Sequence, residues 1–163
     1  MKIVLAFIFT LIFAVWGGVR TVDYVLYTIN IEGYLKRAGD ANSVELAKEN
    51  LEAALNNIEA WGWTSGNTGI LWNSPGNDVG FWYTNIKSAL AELEQVQPEA
   101  TQLEKTNILM KLRESILDDG ESVNVTAPGG IYVFPHNTLF FFWAWISGIL
   151  AVLFWFVVGV RDY

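Results

Sequence analysis

The sequence predicts a mainly α protein in which two transmembrane helices flank an extracytoplasmic helical bundle carrying a small β-hairpin or three-stranded sheet. Three observations lead there. An uncharged apolar run lies near each end of the 163-residue chain, the stretch between them is polar and acidic, and that stretch repeats apolar residues at helical spacing. The run from Thr138 to Val160 has 23 residues and no charge. As a helix it would reach roughly 34 Å, enough to cross a hydrocarbon core of about 30 Å. With the short tail Arg161-Asp162-Tyr163 it makes a C-terminal segment, residues 137–163.

At the other end, Lys2 precedes 17 uncharged residues, Ile3 to Val19. A charged start and an apolar run also describe a signal peptide, with Val15 and Gly17 as a cleavage site. The apolar pattern continues past Arg20 through Val22, Val25, Leu26 and Ile29, as one uninterrupted helix would show, so residues 1–35 read as an anchor extending into water. Lys2 and Arg161 flank one side of the two runs, and Arg20, Lys36 and Arg37 the other, so the local charge count does not fix orientation. The expected placement is a bacterial inner (plasma) membrane, with both termini cytoplasmic and the central domain outside.

Residues 36–136 form the predicted domain. From Arg20 to His136 there are 8 Lys and Arg against 16 Asp and Glu, which carries the net charge of −7 and disfavours a nucleic-acid partner. Gly39-Asp40-Ala41-Asn42 breaks the first helix, and Asn42 with Glu45 reads as a capping box for the second. Val44, Ala47, Leu51, Ala54, Ile58 and Trp61 give that helix its apolar stripe. Asp78 caps a third, striped by Trp82, Ile86, Ala89, Leu93 and Val96, which ends at Pro98. A fourth starts there, presents Leu109, Leu112 and Ile116, and stops at Asp119-Gly120. Between the second and third lies a Gly-rich loop, 62–80, with a possible strand at Gly69 to Trp72. After the fourth, 122–126 and 131–134 read as a hairpin (121–135) around Ala127-Pro128-Gly129-Gly130.

No catalytic, cofactor or metal motif is present. There is no cysteine, and the single histidine, His136, is too few for a histidine metal site and suits a membrane interface. The scattered carboxylates read as solvated helix faces. Asn124-Val125-Thr126 is a glycosylation sequon, relevant only in a eukaryotic secretory pathway. Two residue groups stand out. Ala14 and Gly18 on the first apolar run, and Ala144 and Gly148 on the last, are small-residue pairs suited to close helix packing in lipid. Trp61, Trp63, Trp72 and Trp82 surround the Gly-rich loop as an interface or ligand-binding aromatic cluster. Counting helix directions puts loop 62–80 and the hairpin together at the membrane-proximal end. The expectation is a non-enzymatic structural or accessory subunit whose partners are the bilayer and either itself, as a homo-oligomer, or another membrane protein. The alternative is a ligand-binding or sensor module signalling through a membrane partner.

Overall fold

The computed structural model describes residues 1–119 and 123–160. The predicted stop at Gly120, the first residues of the predicted hairpin and the tail after Val160 lie outside them. Five helices dominate. The first, α1, is continuous over Lys2–Gly39 and is interrupted only by a π turn at Thr28–Glu32. Its 38 residues rise about 57 Å. At the π turn the Gly33 amide donates to the Thr28 carbonyl, and a Cβ at Gly33 would sit 3.1 Å from that oxygen, so glycine relieves the crowding there.

The last helix, α5 (Asn137–Gly159), lies antiparallel to the first half of α1. Phe9 stacks on Phe154 with centroids 5.5 Å apart, and Phe7 meets Trp155 edge-on at 5.2 Å. The polar groups along this seam are used inside it. Trp155 Nε1 donates to Thr10 Oγ1 (3.0 Å), which itself donates to the Ala6 carbonyl, and Trp143 Nε1 donates to the Ile12 carbonyl (3.2 Å). Away from the seam both helices expose aliphatic and aromatic side chains such as Leu11, Val22, Val152 and Phe156. Both are long and apolar enough to cross a membrane.

Beyond its apolar run, α1 becomes the central helix of the domain, with Tyr27, Ile31, Leu35 and Ala38 buried at helical spacing. Against it pack α2 (Val44–Ala60) and α4 (Gln102–Ile116), while α3 (Val79–Glu94) covers α2. The core joins Ile31 and Leu35 to Leu51, Ile58, Val79 and Ile86, all essentially inaccessible. The predicted stripes of α2 and α3 supply Leu51, Ile58 and Ile86, whereas Val22, Val25, Leu26 and Ile29, the expected continuation of the apolar pattern along α1, are exposed. Asp78 caps α3 by accepting from the Phe81 amide (2.9 Å).

Five boundaries differ from expectation, two of them helix ends: α3 stops at Glu94 rather than Pro98, and α4 at Ile116 rather than at Asp119-Gly120. Helix α1 runs on through Gly39. The cap of α2 is Ser43, whose hydroxyl accepts from the Leu46 amide, rather than Asn42. Helix α4 begins at Gln102, not at Pro98, because Thr101 and Glu104 form a reciprocal capping box.

The hairpin is corrected in its pairing. Strand β2 (Val123–Val125) pairs antiparallel with β1 (Leu117–Asp119), Leu117 opposite Val125, and not with 131–134. Residues Ile131–Val133 form a 3₁₀ turn, since successive amides at 131, 133 and 134 bond the carbonyls of 128, 130 and 131 and leave nothing for a ladder. Gly130 enters this turn at φ 74°, a conformation that favours glycine. Among the described residues the sheet has two strands, and Gly69 to Trp72 is not a third; the loop closes instead through one bridge between Asn67 and Asp78.

Candidate functional site

The end of the bundle beside the apolar helices holds a cleft of about 400 Å³. It is assembled from three distant parts of the chain. Helix α1 contributes Asp23 and Leu26, the end of α2 contributes Trp61 and Trp63, and the turn entering α5 contributes Tyr132 to His136 and Phe140.

Trp63 is placed by the way α2 ends. The Trp63 amide donates to the Ile58 carbonyl and the Gly62 amide to that of Glu59, with Gly62 at φ 73°. This is a Schellman termination, which folds the residue after the glycine back onto the last turn. Trp63 is accordingly buried, packs edge-to-face on Trp61 (4.7 Å, 74°), and lies 6.2 Å from the Tyr27 ring. Its indole N–H donates to the Phe134 carbonyl at 3.1 Å, tying the loop to the entry of α5. Phe134 in turn lies across Gly66, where a Cβ would come within 2.8 Å of the ring.

The cleft borders a charged and aromatic layer. Arg20 donates from Nε (3.1 Å) and Nη2 (2.5 Å) to the Tyr132 hydroxyl, and its guanidinium lies 5.3 Å from the Tyr132 centroid and 5.5 Å from that of Trp16. Tyr24 meets Tyr132 edge-on at 5.5 Å. Burial pushes the Asp23 carboxyl above its ordinary range, and His136 acts in the opposite direction. Burial, followed by Glu32 and Tyr24, also raises the Tyr27 phenol.

Of the four tryptophans singled out in the sequence, the structure brings Trp61 and Trp63 together. Trp82 is buried in the core on α3, and Trp72 stands 73% exposed at the loop tip. Asp23, Arg20 and Tyr132 were not distinguishable by pattern, being joined across 112 residues of sequence in the case of Arg20 and Tyr132. The burial of Trp63 did have a local signal, the glycine directly after the stripe of α2.

The small residues divide as well. A Cβ on Gly148 would sit 3.3 Å from the Phe13 ring, and Ala144 is half-buried on the same helix. Ala14 is exposed, and nothing lies within 4 Å of a Cβ on Gly18. Gly148→Leu should therefore separate α1 from α5 and lower the unfolding temperature in detergent. Gly18→Leu should leave that temperature unchanged, and an equal loss for both would refute this division.

A second expectation follows from Asp23. A carboxyl whose folded pKa exceeds its unfolded value binds its proton more tightly when folded, so it favours folding at low pH and that contribution is lost as pH rises through the folded value. Asp23→Asn should raise thermal stability at neutral pH, with the gain shrinking on acidification. A gain independent of pH would contradict this account.

Comparison of the chain with protein-family models, with curated proteins and with solved structures finds no match. What the fold defines is a class: a mainly helical protein with a small two-stranded sheet and two helices able to cross a membrane.

Proposed function

We propose that the protein is a non-enzymatic integral membrane protein, with both termini cytoplasmic and its domain outside, serving as an accessory subunit in an assembly with copies of itself or with another membrane protein. The observation that carries this reading is the continuity of α1. One helix supplies both the apolar surface and, through Tyr27, Ile31 and Leu35, the centre of the domain core. A domain built on the helix that anchors it cannot swing on a linker; whatever grips the apolar pair in the bilayer also fixes where the domain stands. That geometry suits a spacer or clamp better than a freely tethered binding module.

Purification from the native membrane in mild detergent tests it. A defined complex larger than one chain is the expected result, and cross-linking in the same membranes should capture it. A single chain in both measurements would overturn the proposal and favour the second reading, a binding module, for which the aromatic cleft between α1, α2 and α5 is the specific support.

A further inference from the structure

Helix α1 carries a charge order beside the cleft that matches one class of ligand: Asp23 lines the cleft, and Arg20, which does not, borders it through its hydrogen bonds to the lining residue Tyr132. Arg20 is the first charged residue after the apolar run, and Asp23 follows three positions later, about 4.5 Å further from it along the helix and on a neighbouring face. Asp23 lines the cleft together with His136, whose charge acts on it, and makes no hydrogen bond or salt bridge among the described residues. Around it stand the rings of Trp61, Trp63, Tyr132 and Phe134. A carboxylate set among aromatic faces is the environment that attracts an organic ammonium group, through charge and through the ring quadrupoles. Arg20 spends Nε and Nη2 on Tyr132, while Nη1 has no protein partner among the described residues. A guanidinium with unused donors suits a phosphate oxygen.

We propose that this cleft holds the zwitterionic headgroup of a phospholipid, with its phosphate on Arg20 and its ammonium between Asp23 and the Trp61 and Tyr132 rings. In such a lipid the phosphate lies nearer the acyl chains and the ammonium further out, the order in which Arg20 and Asp23 leave the apolar run. Phe140, in the first turn of α5, is buried and also lines the cleft. An anionic lipid such as phosphatidylglycerol would satisfy Arg20 through its phosphate but bring no ammonium to Asp23. A simple amine would satisfy Asp23 and leave Arg20 unused. The site rests on the two apolar helices crossing a bilayer, and is independent of whether the domain has a protein partner.

The test uses the full chain reconstituted with equal amounts of phosphatidylethanolamine and phosphatidylglycerol, extracted in mild detergent and weighed by native mass spectrometry. Phosphatidylethanolamine should be retained over phosphatidylglycerol by roughly tenfold, equivalent to about 1.4 kcal/mol. Asp23→Asn should bring the ratio close to one, and Arg20→Gln should reduce retention of both lipids. Trp61→Leu, which leaves both charges in place, should weaken the preference in part. Titration of tryptophan fluorescence with soluble phosphoethanolamine separates the sources of the chemistry. A response in the wild type that Asp23→Asn abolishes shows that the headgroup suffices, and no response alongside an intact lipid preference shows that the acyl chains are also required. Equal retention of the two lipids by the wild type, or a preference untouched by Asp23→Asn, overturns the proposal. A single chain with bound phosphatidylethanolamine would overturn the accessory-subunit reading and leave this site standing.

Discussion

Trp63→Ala should destabilise the domain by about 3–5 kcal/mol, the range for removing a buried large aromatic side chain. The side chain is 4% exposed and touches three separate parts of the structure: Trp61 at the end of α2, Tyr27 on α1, and the Phe134 carbonyl before α5. The loss therefore combines a cavity with a part-buried carbonyl left without its donor. Trp63→Phe should recover most of the packing and retain a deficit of about 1 kcal/mol from the missing hydrogen bond. Trp72→Ala, at an exposed position, should stay within about 0.5 kcal/mol of the wild type. Thermal unfolding in detergent, followed by circular dichroism, ranks the three. A Trp72 effect as large as that of Trp63 would mean the loop packs differently.

Val25→Pro should cost about 3 kcal/mol or more, because proline in a helix interior removes an amide donor and crowds the carbonyl four residues back. Val25 is 45% exposed and lies in α1 between the apolar run and the domain core, so little packing is lost with its side chain. Val25→Ala isolates that packing and should change stability by less than about 0.5 kcal/mol. The structural consequence is the more informative one. With α1 broken, the domain should reorient on the apolar pair, seen as a broadened distribution in spin-label distances between α5 and α3. An unbroadened distribution would show that contacts outside α1, such as those of Phe134 with Trp63 and Gly66, hold the domain in place.

The parts of this architecture readable from sequence are those fixed by local pattern. The two apolar runs, the stripes Ala47-Leu51-Ala54-Ile58 and Trp82-Ile86-Leu93, and the Asp78 cap each depend on residues a few positions apart, and all appear at their expected places. Strand β1 was hidden because Leu117 continues the apolar stripe of α4 and the two aspartates after it have low strand propensity. Only its pairing with β2 makes it a strand. Ile131 to Val133 has the opposite history, a β-like composition overruled by the turn that Pro128 and Gly130 impose. The cleft was least legible. Asp23, Trp61 and Tyr132 belong to no common motif, and only the closing of α5 onto α1 brings them together.

The π turn at Thr28–Glu32 sets the bearing of the domain. A π turn amounts to one residue inserted into an α-helix, and one residue is about 100° of rotation about the helix axis. Everything after Glu32 is therefore swivelled by about that angle relative to the heading an unbroken α-helix would give it. Deleting one residue here would restore an unbroken α-helix with the present bearing kept, whereas straightening the turn with every residue retained would turn the domain by about that angle around α1. The sector of the surroundings that the domain addresses is thus encoded in a single turn, separately from the side chains that hold the domain together.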